Sequence, residues 1–187
     1  MCFGEQSIRM NSILIGSFIV VLTGILDDIK PIKASHKLLG HIAAALIITF
    51  YGGILLDQIS AFGYTLDFGV WAYPITLLFI VACTNIINLI DGLDGLAAGT
   101  CSIYFITMAI IGLIVHVYGG LDVILCTIMI GSTLGFLVYN FNPASIFMGD
   151  TGSMFLGYMI SVIALLGFKT ATFTSFLIPM LIMFIPI

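Results

Sequence analysis

Charge is what this 187-residue sequence has least of. Charged residues make up 7% of it against 61% hydrophobic residues, at a mean hydropathy of +1.26. A soluble domain typically carries about 25% charged residues, so this chain has too little polar surface to be water-soluble. With five Lys and Arg in all, it cannot build the broad basic footprint that nucleic-acid binding requires, and no nucleic-acid partner is expected. The four cysteines, Cys2, Cys83, Cys101 and Cys126, show neither CxxC nor Cys/His spacing. Three lie in apolar runs, where the default reading is a small buried hydrophobe rather than a metal thiolate. No internal repeat and no second domain are visible. The first apolar run ends in Asp27-Asp28 rather than at a small-residue cleavage site, so it does not have signal-peptide architecture.

What is present is a succession of apolar runs. A membrane-crossing helix needs about 20 apolar residues, and runs of that kind fall at roughly 11–27, 38–56, 70–90, 97–118, 121–139, 153–168 and 172–187. The fold class expected is therefore all-α, a polytopic transmembrane helix bundle with about seven spans in residues 1–187. Short, turn-rich separators divide the runs, including Asp57 to Gly69 and Gly119-Gly120, and Pro179 and Pro186 predict a kink in the last run. Lys30, Lys33 and Lys37 crowd the loop after the first run, which places that loop on the cytoplasmic side. Alternating the spans from there puts Asn85–Asp94 and Asn140–Gly152 on the same side. Arg9 and Lys169 fall on the outer side and are outvoted by the three-lysine loop.

Against this apolar background the acids are out of place. A carboxylate near mid-bilayer costs about 2.5–3.5 kcal/mol, and less near the interface. Asp27-Asp28 can be a stop-transfer flank, or a pair that binds a divalent cation or takes up a proton. Lys30, Lys33 and Lys37 can mark topology, or one can hold a phosphate as a point charge. Asn85, Asn88, Asp91 and Asp94 recur every three residues, a polar stripe winding round a helix end, and Asp91-Gly92 and Asp94-Gly95 predict that the helix breaks there. A capped loop alone does not account for two amides inside an apolar stretch. Asn142-Pro143 through Gly149-Asp150-Thr151-Gly152-Ser153 predicts a tight loop opening the next helix, with Asp150 available to a metal or as a cap and Thr151 and Ser153 as capping residues. Phe147 is the aromatic placed to stack on a base. His36, His41 and His116 are expected to be packed or solvated. Hard oxygen ligands, lysines and amides on one membrane face suit a Mg²⁺-diphosphate meeting a lipid-borne phosphate.

Three segments carry a resemblance: Leu22-Thr23-Gly24-Ile25-Leu26-Asp27-Asp28, Asn85 through Asp91-Gly92-Leu93-Asp94-Gly95 to Gly99, and Tyr139-Asn140-Phe141-Asn142-Pro143 through Ser153. In that order they resemble the polyprenyl-phosphate sugar-1-phosphate transferases, glycosyltransferase family 4, from about residue 11 to the end. Lys37-Leu38-Leu39-Gly40 and Asn88 to Gly95 look most like the Gram-positive branch that begins wall teichoic acid with GlcNAc-1-phosphate. The resemblance implies a cytoplasmic-membrane enzyme with its active site facing the cytoplasm. It would transfer GlcNAc-1-phosphate from UDP-GlcNAc to undecaprenyl phosphate, releasing UMP, with Mg²⁺ as cofactor and Mn²⁺ as the alternative ion. It also implies roles: Asp27, Asp28 and Asp150 catalytic, Asp150 the metal ligand, Lys37, Asn85, Asn88, Asp91 and Asp94 on the substrates, and Phe147 near the uracil. The partners expected are UDP-GlcNAc, undecaprenyl phosphate and the lipid bilayer, with a homodimer left open. Family members carry further helices before the acid pair and a histidine- and arginine-rich loop after the point where Ile185-Pro186-Ile187 ends this sequence. The expectation is thus a single transmembrane domain truncated at both ends. The alternatives are an ion-coupled transporter, which should place its acids near mid-membrane, and an inactive truncated family member.

Overall fold

The structure is a computed structural model, and it describes residues 3–61, 64–115 and 120–168. Its first element, α1 (Phe3–Ile29), runs the full length of the first apolar stretch and stops just before Pro31, which lacks the N–H a helix would need there. Helix α2 (Ala34–Leu46) continues into a wider π-type turn over Ile47–Tyr51. Antiparallel strands β1 (Gln58–Ala61) and β2 (Tyr64–Asp67) follow, then a short 3-10 turn at Gly69–Trp71. Four long helices complete the described chain: α3 (Ala72–Ile90), α4 (Leu96–Val115), α5 (Leu121–Asn140) and α6 (Gly149–Phe168). Pro74 is accommodated in the first turn of α3, where its missing N–H is not required.

The all-α expectation holds, with two amendments. Five of the described helices are long and apolar enough to cross a membrane, while the run expected at 38–56 is helical only over 34–51. The separator at 57–69 is also more ordered than a turn-rich loop: Gln58 pairs with Asp67 and Ile59 with Leu66 in a hairpin. Strand pairing gives partners to backbone groups that have left the helical ladder. The run at 172–187 lies outside the described residues.

Helix α6 is the axis of the bundle. It packs on α1 and α3 and, less extensively, on α4 and α5. Two-thirds of its apolar window is buried, whereas α1 is buried over little more than a quarter. Small residues allow the close approach: Gly24 of α1 touches the backbone of Thr151, and a Cβ on Gly157 would lie 2.7 Å from Cys83 O. Tyr158 in turn donates its hydroxyl to Ile13 O at 3.1 Å. On the outer faces large apolar side chains point away from the protein, including Phe18 (65% exposed), Leu78 (71%), Ile114 (76%) and Val138 (75%). An exposed apolar belt on long helices is stable in lipid, not in water. This is a membrane protein.

Buried hydroxyls of α1 and of α3 to α6 return to the backbone, as lipid surroundings favour, whereas Thr49 Oγ1 in the π-type turn has no partner among the described residues. Thr84 Oγ1 donates to Ile80 O, and Ser102 Oγ to both Ala98 O and Thr133 Oγ1. Cys83, Cys101 and Cys126 are free and buried, in keeping with their reading as small hydrophobes.

The up-and-down order decides where the polar segments go. Helices α1, α3 and α5 end, and α2, α4 and α6 begin, at one pole of the bundle. The three sequence clusters therefore meet there.

Candidate functional site

The pole is organised around the start of α6. The first N–H groups of any helix have no intrahelical acceptor. Here the carboxylate of Asp28, in the last turn of α1, supplies one: Oδ1 accepts from Asp150 N at 2.9 Å, and Oδ2 from Thr151 N at 3.0 Å and Thr151 Oγ1 at 2.5 Å. Negative charge at a helix N-terminus is favoured by the helix dipole. Gly149 enters α6 with φ +65°, and a Cβ there would lie 2.9 Å from Asp28 Oδ2, so glycine suits the position twice over. Asp28 is thus a cap donated from a neighbouring helix.

Asp27, one residue earlier, faces α2. Its Oδ1 accepts from Ile32 N at 2.9 Å, which folds the 30–33 link back on the helix end. Its Oδ2 is 2.6 Å from Lys37 Nζ, and the same ammonium is 2.5 Å from Asp150 Oδ2. Lys37 therefore bridges two acids that lie more than a hundred residues apart in sequence. Lys30 and Lys33 are exposed, as is His36.

Helix α3 ends at Ile90, and the Asp91–Gly95 turn breaks the chain where the Asp-Gly pairs predict. Asn88 donates to Ser153 Oγ at 2.9 Å, and Ser153 donates to Gly149 O, so an amide of the polar stripe ties α3 to the first turn of α6. Asp94 Oδ2 accepts from Asn142 Nδ2 at 3.2 Å and Ala144 N at 3.1 Å, fixing the turn that follows α5. Asn85 behaves differently from its neighbours in the stripe. Its amide donates to Val81 O and meets His41 Nδ1 at 3.3 Å, and it does not line the cleft described next. His41 itself is packed between helices, with 2% of its surface exposed.

Between the α3–α4 turn and the start of α6 lies a cleft of about 250 Å³, walled by Asn88, Asp91, Asp94, Asn140, Phe147 and Asp150 among others. Phe147 stands at it largely exposed. Burial and then the nearby charge of Asp150 push the Asp91 carboxyl up to about 6. Both effects oppose ionisation, and a cation in the cleft would reverse the second. Among the described residues no three His, Cys, Asp or Glu side chains form a ready metal cage. The donor set still fits Mg²⁺, which is usually held by one or two carboxylates and completed by substrate phosphates and water. Asp150, with Asp91 facing it, provides that number.

Asn140 is the residue that sequence reasoning left out of the candidate site. It is 4% exposed, accepts from Gly95 N at 3.1 Å and donates to Ile146 O at 2.9 Å, so it joins the two loops that form the cleft. Its signal was present: an amide closing an apolar run, just before Asn142-Pro143.

The pole thus has two corners, Asp27–Lys37 and Asp91–Asp94, which Asp150 joins. Comparison with known proteins agrees with this arrangement in extent. Residues 10–168 match the model of glycosyl transferase family 4. The chain is 48% identical over 184 residues to a probable undecaprenyl-phosphate N-acetylglucosaminyl 1-phosphate transferase of Bacillus subtilis (strain 168), covering 96% of this chain and 50% of that protein. It is 37% identical over 176 residues to a phospho-N-acetylmuramoyl-pentapeptide-transferase of Bacillus anthracis (strain A0248), covering 88% of this chain and 54% of that protein. A transferase of the same name from Bacillus mycoides (strain KBAB4) is 38% identical over the same length. The chain spans about half the length of these curated relatives. With most of its residues inside the family match, and the matched segments meeting at one pole, the chain belongs to glycosyl transferase family 4.

Proposed function

We propose that this protein transfers GlcNAc-1-phosphate from UDP-GlcNAc to undecaprenyl phosphate, releasing UMP. Transfer takes place at the cytoplasmic face of the cytoplasmic membrane, as the first membrane step of a cell-wall polymer such as teichoic acid. The observation that carries the reading is Asp150, bonded to Lys37 on one side and lining the Asp91 cleft on the other. Two anionic substrates need two such neighbouring places. The name of the Bacillus subtilis relative supports GlcNAc as the sugar, and the three lysines of the 30–37 segment support a cytoplasmic site. The described helices belong to one transmembrane domain, the single domain expected for residues 1–187. The acids lie at helix ends, and nothing in their geometry favours a transporter.

The chemistry follows from the substrates. A phosphate monoester with a second pKa of about 6 is already largely dianionic at pH 7. It needs orientation and charge neutralisation more than a strong base. An oxygen of the acceptor phosphate attacks the β-phosphorus of the nucleotide sugar, the bond from that phosphorus to the bridging oxygen breaks, and UMP departs with the electron pair. Lys37 holds the acceptor phosphate beside Asp27, which orients it and collects any residual proton. Asp28 fixes the start of α6 and with it the position of Asp150. Asn88, Asp91 and Asp94 set the wall against the diphosphate, and Phe147 stacks on the uracil. Asn85 acts from outside the cleft, through the α2–α3 contact. Asp150, faced by Asp91, would hold Mg²⁺, or Mn²⁺ in its place, whose chemistry when bound is to neutralise the diphosphate and the leaving UMP.

The test is formation of lipid-linked GlcNAc diphosphate from UDP-GlcNAc and undecaprenyl phosphate by a version with both termini extended to the length of the relatives. Formation that requires Mg²⁺ is expected, and its absence would overturn the transferase reading. A phospho-sugar adduct on the protein, trapped without acceptor and abolished by Asp28→Asn, would replace direct attack with a covalent route.

A further inference from the structure

Lys37 occupies a position that a bound cation must contend with. Its ammonium is 2.5 Å from Asp150 Oδ2 and 2.6 Å from Asp27 Oδ2, so it already neutralises the acid that borders the cleft. Asp91, on the other side of Asp150, lines the cleft and has no ion pair among the described residues. A divalent cation entering the cleft therefore meets an acid whose charge is engaged, with another positive charge a carboxylate's width away. Repulsion between like charges at that range is strong, because the site is partly removed from water. Lysine is also suited to leave: it is a point charge on a flexible four-carbon stem and needs no fixed bidentate geometry. A dianionic phosphate arriving beside Asp27 offers the ammonium more charge than Asp150 does.

We propose that Lys37 is a transferable counter-charge, which covers Asp150 while the acceptor place is empty and passes to the acceptor phosphate when that binds. Phosphate binding then uncovers Asp150 for the divalent cation. By linkage each ligand raises the affinity for the other by the same factor. This inference rests on the transferase reading above and adds to it an order of events. The site accepts its cation readily only when the phosphate that will attack is already present.

The experiment measures Mn²⁺ affinity by electron paramagnetic resonance, on the protein in lipid nanodiscs with no nucleotide sugar. In the wild type, undecaprenyl phosphate is expected to tighten Mn²⁺ binding about tenfold, within the usual range of coupling between sites. Undecaprenol, which lacks the phosphate, is expected to leave it unchanged. Lys37→Met is expected to bind Mn²⁺ about tenfold more tightly than the wild type without any lipid, and to show no further gain from undecaprenyl phosphate. A merely structural role for Lys37 predicts the opposite sign, since a damaged site binds more weakly. Weaker or unchanged Mn²⁺ binding by Lys37→Met, with binding abolished by Asp150→Asn, overturns the proposal and leaves the metal assignment standing. Unchanged Mn²⁺ binding by Asp150→Asn removes the metal assignment and this proposal with it. Should Lys37→Met fail to fold, the wild-type measurement decides: equal Mn²⁺ affinity with undecaprenyl phosphate and with undecaprenol overturns the inference.

Discussion

The two corners of the polar pole meet their negative charge in opposite ways. Around Asp27 and Asp28 every carboxylate oxygen has a partner: backbone N–H groups from the 30–33 link and α6, a threonine hydroxyl, and the Lys37 ammonium. Around Asp91, among the described residues, no hydrogen bond reaches the carboxylate, and burial together with Asp150 raises its pKa to about 6. One corner is finished by the protein itself and holds three helices together. The other is left in need of positive charge. A fold that could pair Asp28 so completely leaves Asp91 unpaired where a ligand can enter, and Asp150 belongs to both corners.

The largest loss is expected at Asp150. Asp150→Asn should lower Mg²⁺-dependent UMP release by about 10²–10³-fold, the scale for losing one preorganised electrostatic group, with little change in the unfolding midpoint. Steady-state rates and thermal unfolding separate the two effects. Asp28→Ala should act in reverse, on the fold first. Removing an ionised acceptor that caps α6 should cost about 2 kcal/mol of stability, measured as a lower denaturation midpoint. Gly24→Leu should also destabilise, by about 1–3 kcal/mol, because a side chain there is driven into the Thr151 backbone.

Smaller effects sharpen the contrast. The Asp91 carboxyl should titrate near pH 6 in Mg²⁺-free buffer, followed by infrared difference spectroscopy, and the transition should vanish in Asp91→Asn. The sign follows from linkage. The folded protein holds this proton more tightly than the unfolded chain, so stability from it is present at low pH and lost as pH rises through about 6. Phe147→Ala should raise the KM for the nucleotide sugar by roughly tenfold, from a stacking contribution of about 1–3 kcal/mol per base, with stability unchanged.

How much of this was legible in the sequence differs between the same corners. The helix breaks were written locally, since Asp91-Gly92, Asp94-Gly95 and Asn142-Pro143 punctuate whatever surrounds them. The meeting of the three clusters was legible from span order alone, because alternating helices carry every second end to one face. That reasoning survived even though the second run forms a shorter helix than expected. The hairpin at 58–67 was not legible: its strands are four residues each, too short for a clear alternation. The division of labour between Asp27 and Asp28 was hidden too, since adjacent acids differ only in which helix each faces. Asn140 escaped because its partners, Gly95 and Ile146, come from two different loops.

The three polar segments are proposed to make one Mg²⁺-dependent site. This is tested most directly by UMP release from UDP-GlcNAc and undecaprenyl phosphate, using the protein at the full length of its relatives and three single variants, Asp28→Asn, Asp91→Asn and Asp150→Asn. Release should disappear on chelating Mg²⁺ and fall at least about 100-fold in Asp150→Asn, with clear losses in both other variants. Wild-type release from a variant in any one segment, or release indifferent to Mg²⁺, would contradict a single Mg²⁺-dependent site.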